Sequence, residues 1–122
     1  MKFFRMGAAN DRPYVSAVIA DGRFVFVSGH TPMRGGKLFT GPIGIQTTVV
    51  LENIAAVLES AGASFEDIVR CGVYLADLAD LAEFNEAYVS AFGARLPART
   101  TVGASLPGYG VEIDCMAVVP QA

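Results

Sequence analysis

Residues 69–75, VRCGVYL, alternate along the chain. Val69, Cys71, Val73 and Leu75 fall on one side, with Arg70 and Tyr74 on the other. That period of two predicts a strand with one buried face. The same pattern predicts strands over 14–19 (YVSAVI) and 24–28 (FVFVS), joined by a turn-like Asp21-Gly22. Two more fall at about 99–105 and at 111–119, VEIDCMAVV. Elsewhere the period lengthens. From about Ile45, the residues Val50, Leu51, Ile54, Val57, Leu58 and Ala61 recur at steps of three and four, and Gly62 stands where a C′ glycine ends a helix. A second helix opens at Asp80, with Glu83 placed as a capping-box partner. Its apolar stripe is Leu81, Phe84, Tyr88, Ala91 and Phe92, and Gly93 closes it. The glycine- and proline-rich stretch 31–44 reads as a loop. The predicted order is strand, strand, helix, strand, helix, strand, strand over one domain, 1–122. This is an α+β class, with two helices on one face of a mixed sheet and apolar side chains still on the other.

Composition changes that picture in one respect. Hydrophobic residues make up 52% of the 122, only 17% are charged, and the mean hydropathy is +0.43. A monomer of this size keeps much of its surface in water, so the apolar surplus predicts burial against copies of itself, a homo-oligomer. Nine Lys+Arg against twelve Asp+Glu leave a net charge of −3 with no basic run. That argues against a nucleic-acid partner. No apolar run approaches the ~20 residues of a membrane span, and the N-terminus does not resemble a secretory signal, so a cytoplasmic location is expected. Cys71 and Cys115 lie in apolar strand-like stretches without ligand spacing and read as buried, reduced thiols. His30 is the only histidine, so no multi-histidine metal site and no Ser-His-Asp triad with a second histidine can be built.

A few residues stand out against a plain core. In RLPARTTV (95–102), Pro97 biases Ala98 toward extended backbone, so Arg99 enters a strand with Thr101 and Gly103 on its face. An arginine there either snorkels to solvent or grips a carboxylate with its planar fork of donors. Glu112 lies between Val111 and Ile113, and is either solvent-facing or, if that face is covered, in need of a partner such as Arg99 or an ordered water. Asn85 borders the stripe of the second helix, where it is either solvated or aimed into a pocket. Tyr14 follows Pro13 at a strand start, and Gly29 ends another strand before His30.

Taken together, RPYVSAV, FVFVSGHTP, QTTVVLENIAAVLESAGAS, DIVRCGVYLADLADLAEFNEAYVSAFG, PARTTV and LPGYGVEIDCMAV resemble the RidA (YjgF/YER057c/UK114) family from about Pro13 to Val119. The resemblance implies a chorismate-mutase-like fold, a homotrimer with a pocket at each subunit interface, and no metal or organic cofactor. It implies that Arg99 holds a substrate carboxylate and Glu112 helps place an attacking water. Tyr14 and Asn85 would line the pocket, and the backbones of Gly29 and Thr101 would approach the ligand. The implied activity is hydrolysis of 2-enamine and 2-imine acids, such as 2-aminoacrylate or 2-aminocrotonate, to 2-keto acids and ammonia. A pathway-dedicated deaminase of an aminoacrylate- or aminomuconate-like compound, or a non-catalytic trimer that binds keto acids, are the alternatives. Thr101 stands where many members carry cysteine and His30 where glutamine is common. The 103–111 connection is also a residue or two shorter than usual.

Overall fold

The computed structural model describes residues 1–7 and 11–121. Along the chain run strands β1 (Lys2–Phe4), β2 (Ala17–Ile19), β3 (Arg23–His30), β4 (Met33–Arg34) and β5 (Lys37–Leu38), helix α1 (Ile43–Ser60), strand β6 (Ile68–Leu75), helix α2 (Leu81–Phe92), and strands β7 (Ala98–Gly103) and β8 (Val111–Val119). The main sheet has the order β3-β8-β6-β7 and is antiparallel except for the parallel β6–β7 pair. β8 sits inside the sheet because its alternation suits a covered face: Val111, Ile113, Cys115 and Ala117 are buried, while Glu112, Asp114 and Met116 between them are partly exposed. The inward set meets Cys71, Val73 and Leu75 of β6, Val27 of β3, and the stripes Val50, Leu51, Ile54, Leu58 of α1 and Phe84, Tyr88, Phe92 of α2. Each such side chain contributes ~1.5–3 kcal/mol when fully buried. Both helices therefore cover one face of a mixed sheet, an α+β fold. The other face leaves Phe24, Phe26 and Val102 at 57, 70 and 44% exposure.

Helix α1 stops as its sequence predicts. Gly62 takes φ +77°, its N–H donates to the Glu59 carbonyl (3.1 Å) and the Ala63 N–H to the Leu58 carbonyl (2.8 Å), the paired bonds of a Schellman motif. At the other end α1 begins at Ile43, two residues earlier than the periodicity predicts.

Several expectations are corrected. The 14–19 segment is a strand only over Ala17–Ile19, and it pairs antiparallel with β1, for which no strand was predicted, rather than with β3 across Asp21-Gly22. Gly22, at φ +144°, passes so close to the Val119 carbonyl that a Cβ would collide with it, and the chain swings past the end of β8 instead of making a hairpin. The glycine-rich loop contains a small hairpin, β4–β5, turned by Gly35-Gly36, both at positive φ. A bulge at the start of β6 sends Ile68 rather than Val69 into the helix-covered core. β7 ends at Gly103, short of 105. Asp80 occupies the N-cap position of α2 as predicted but makes no side-chain cap. The capping box fails because Glu83 leaves its own helix: its Oε2 accepts from the Gly44 N–H at 2.8 Å, capping the start of α1. The side-chain cap falls one turn earlier, at Asp77, whose Oδ1 accepts from Ala79 N–H at 2.9 Å and caps the short 3₁₀ turn Leu78–Asp80.

Candidate functional site

β7 runs beside β6 with Arg99 opposite Cys71 and Thr101 opposite Val73. Cys71 and Val73 face the helices, so Arg99 and Thr101 do too. The Arg99 guanidinium lies 4.9 Å from the Tyr88 ring centre, 5.2 Å from Phe84 and 5.5 Å from Tyr14. Phe84 and Tyr88 come from α2. Tyr14 is brought in by the approach to β2, where Val15 N–H donates to the Pro97 carbonyl at 3.3 Å. One Arg5 donor, Nη1, ties that approach down by donating to the carbonyls of Arg12 (3.1 Å) and Tyr14 (3.0 Å). Three aromatic faces attract the charge at ~0.5–2 kcal/mol each, but they supply no acceptor. Arg99 Nε and Nη1, Thr101 Oγ1, Asn85 Oδ1 and Tyr88 Oη are buried without a hydrogen-bond partner among the described residues. Burial lowers the Arg99 pKa, opposed by Tyr88, Cys71 and Tyr14, yet a guanidinium keeps its proton at any working pH. Unmet buried donors of a charged group cost ~1–3 kcal/mol or more. A carboxylate would answer that need, since its two oxygens match the fork.

Glu112 has the opposite surroundings. It projects from β8 away from the helices, and Tyr109 Oη donates to its Oε1 at 2.9 Å. Burial first, then the bond to Glu112 and its charge, raise the Tyr109 pKa, so the hydroxyl stays a donor. A bulge between Val27 and His30 brings Gly29 against the carboxylate: a Cβ there would collide with Glu112 Oε2 and lie 3.1 Å from its Cδ. Glycine is needed at 29 for that close approach. On the same face Asp114 accepts from Tyr74 Oη (3.0 Å) and Gly72 N–H (3.1 Å).

One chain does not bring Arg99 and Glu112 together. Glu112 stands opposite Tyr74, which stands opposite Val102, three residues along β7 from Arg99. Strand spacing and rise put the two Cα atoms roughly 14 Å apart, and the side chains leave on opposite faces. The predicted residues thus form two groups: Arg99, Thr101, Asn85 and Tyr14 on the helix side, Glu112 and Gly29 on the open side. Two clefts, one of about 510 Å³ at Phe3, Arg5, Val15, Ala94, Arg95 and Leu96 and one of about 410 Å³ near Gly44 and Glu83, include neither charge. Size alone does not mark the site; the unmet donors do.

The wall residues Phe84 and Tyr88 read as core in the sequence, and Tyr109 was not singled out. A tyrosine inside an apolar stripe was the available signal for Tyr88, because its hydroxyl needs a partner. Cys71 lies beside Arg99 and Tyr88. Burial pushes its pKa up to about 11 despite the opposing effects of Tyr88 and Arg99, and burial pushes Cys115 to about 12. Both free thiols stay protonated at neutral pH and are not nucleophiles there. Among the described residues no three His, Cys, Asp or Glu converge as a metal site, and no helix is long and apolar enough to cross a membrane.

Comparison with known proteins adds to this geometry. The family model described as endoribonuclease L-PSP matches residues 6–119. A RutC family protein of Pyrococcus abyssi is 44% identical over 108 residues, covering 87% of this chain and 84% of that protein. The chloroplastic Reactive Intermediate Deaminase A of Arabidopsis thaliana is 37% identical over 111 residues, covering 88% of this chain and 59% of that one. A crystal structure of a conserved Rid family protein from Yersinia pestis superposes with a TM-score of 0.83 at 27% identity, covering 97% of this chain and 98% of the other.

Proposed function

Because the chain belongs to the RidA (YjgF/UK114) family, we propose that it is a hydrolytic deaminase of reactive 2-imino acids, releasing 2-keto acids and ammonia. The observation that carries this reading is Arg99, a guanidinium boxed by three aromatic rings with two donors unmet. A 2-enamine acid tautomerises to an imine whose electrophilic C=N adjoins a carboxylate. Arg99 binds that carboxylate and fixes the imine carbon in place, so much of the acceleration is positional. The imine nitrogen takes a proton from solvent, and water adds to the C=N carbon as its own proton passes to Glu112. Glu112 then delivers that proton to the departing nitrogen while the hydroxyl proton of the intermediate returns to solvent. The resulting carbinolamine expels ammonia and leaves the keto acid. Tyr14, Asn85 and the Thr101 segment hydrogen-bond the polar groups of the intermediate. The imine is already activated, so these steps call on protein groups and water.

Since Arg99 and Glu112 leave opposite sheet faces, this mechanism needs a second copy of the chain. Arg99 of one subunit would meet Glu112 of its neighbour in a homotrimer, with one site per interface. The apolar open face carrying Phe24, Phe26 and Val102 supports such an assembly. The test is complementation. Arg99→Met and Glu112→Gln should each abolish ammonia release from enzymatically generated 2-imino acids. Randomly mixed oligomers of the two should recover about a quarter of the wild-type sites. Mixed oligomers that form and stay inactive would overturn the shared site. No wild-type rate on short or branched imino acids would overturn the deaminase and leave an oligomer that only binds keto acids.

A further inference from the structure

Three of the chain's nine Lys and Arg residues converge on one tyrosine. Arg99 lies over the Tyr14 ring. Arg12 Nη1 donates to the Tyr14 hydroxyl at 2.9 Å. Arg5 holds the carbonyls of Arg12 and Tyr14, which fixes the backbone from which both side chains start. In an acidic protein this is an uneven use of positive charge. Among the described residues the one ion pair is Arg34–Glu52, so none of these three guanidinia has a carboxylate within ion-pair distance. Arg5 also lines the 510 Å³ cleft with Arg95, extending the positive surface around Tyr14.

Arg12 differs from Arg99 in kind. It is exposed, its contact is with the outer end of the phenol, and the charge of the adjacent Asp11 acts on it as well. The tyrosine acts as a spacer: one guanidinium lies on its ring face, the other at its hydroxyl. An anion bound by Arg99 therefore has a second, pre-held cation one phenol ring away. An exposed ion pair ordinarily contributes little, because two long side chains must be ordered. Here the Tyr14 hydroxyl has already ordered one of them.

We propose that Arg12 is a second anion anchor at the rim of the Arg99 site, and that the site selects 2-imino dicarboxylates of four or five carbons over the corresponding monocarboxylates. This rests on the reading that Arg99 holds the carboxylate beside the imine. The distal carboxylate reaches Arg12 across the edge of Tyr14. The substrates are then the imines of acidic amino acids, formed by a reaction that oxidises or eliminates at their α-carbon.

The product-like pair 2-oxoglutarate and 2-oxopentanoate tests this without turnover, since they differ in the distal carboxylate alone. Calorimetry on the assembled wild-type protein should find 2-oxoglutarate bound about tenfold tighter, the worth of one charge-assisted hydrogen bond. Arg12→Met should bring the ratio close to one, and Arg12→Lys should restore part of it. Lys37→Met, on the exposed β5, should leave the ratio intact and so account for the change in net charge. A wild-type ratio at or below one overturns the proposal. So does an Arg12→Met variant that weakens both ligands equally, which would make Arg12 a positioning residue acting through Tyr14. If 2-oxopentanoate binding ignores Arg99→Met, the Arg99 reading itself fails. If it depends on Arg99 but no preference exists, only the role of Arg12 falls.

Discussion

Arg99 and Glu112 sit on strands of the same sheet with β6 between them, and the chain treats their charges in opposite ways. Glu112 is half-exposed and receives a hydrogen bond from Tyr109, with Gly29 cleared of side chain to let it lie flat. Arg99 is surrounded by ring faces that attract a charge but accept no hydrogen bond, and two of its donors stay unmet. A group whose polar needs are met inside the chain is oriented; one whose needs are unmet awaits a ligand. Orientation suits a residue that directs water, and unmet donors suit one that captures an anion. The two sides should therefore respond differently to pH, to added bulk and to removal of charge.

The largest difference should appear in alkali, and mostly on the Arg99 side, where the groups with raised pKa values are buried. The folded-state pKa values of Cys71 and Cys115, about 11 and about 12, lie above the ordinary value of 9.0. Between these values the unfolded chain has lost the thiol protons and the folded chain still holds them. Stability is therefore fully present below about pH 9 and falls as pH rises toward the folded-state pKa. For Cys71 alone the loss is on the order of 3 kcal/mol by pH 11. Urea unfolding from pH 8 to 11 should show this slope, and Cys71→Ala/Cys115→Ala should reduce it to the part due to the Tyr88 hydroxyl, which burial also keeps protonated. An unchanged slope in the double variant would mean that the core beside Arg99 is wetter than its packing indicates.

Gly29→Ala probes the other side. The added methyl group cannot coexist with the Glu112 carboxylate where it lies, so the carboxylate must turn away from Tyr109. Gly29 is exposed and not at positive φ, so the fold should lose no more than about 1 kcal/mol. Turnover should fall roughly 10–100-fold, the range for a displaced acid–base group, with keto-acid affinity held because the Arg99 box is untouched. A rise in KM at constant kcat would instead assign Glu112 to binding.

How much of this was legible in the sequence follows the range of each interaction. β6, β8 and both helices could be read because burial repeats at periods of two or 3.6 along one segment. The β1–β2 pairing could not, since three-residue strands carry no period and their partner lies some fifteen residues away. Strand parity placed Arg99 and Thr101 on one face, but that this face meets α2 was settled by packing. The importance of Arg99 came from the PARTTV resemblance, since spacing alone left a snorkelling arginine open. The bonds of Arg12 to Tyr14, Tyr109 to Glu112 and Glu83 to Gly44 join turns or distant elements, and no local pattern announces them.

The smallest effect is the sharpest test, because the two sides should differ in sign. Replacing Arg99 with methionine removes a buried charge with unmet donors and leaves a flexible apolar chain among Phe84, Tyr88 and Tyr14. The variant loses up to three cation–π contacts, each at the lower end of ~0.5–2 kcal/mol while part of the guanidinium stays hydrated. It gains relief from unmet donors and desolvation, which costs more. The net should be a gain of about 1 kcal/mol in unfolding free energy at neutral pH. Glu112→Leu should lose about 1 kcal/mol, because Tyr109 then forfeits its acceptor and Gly29 faces a bulkier neighbour. Chemical denaturation at one fixed protein concentration reads both, so that assembly contributes equally. A destabilised Arg99→Met would show that the aromatic box holds the fold as well as the ligand. The contrast between a met and an unmet charge would then no longer separate the two sides of the sheet.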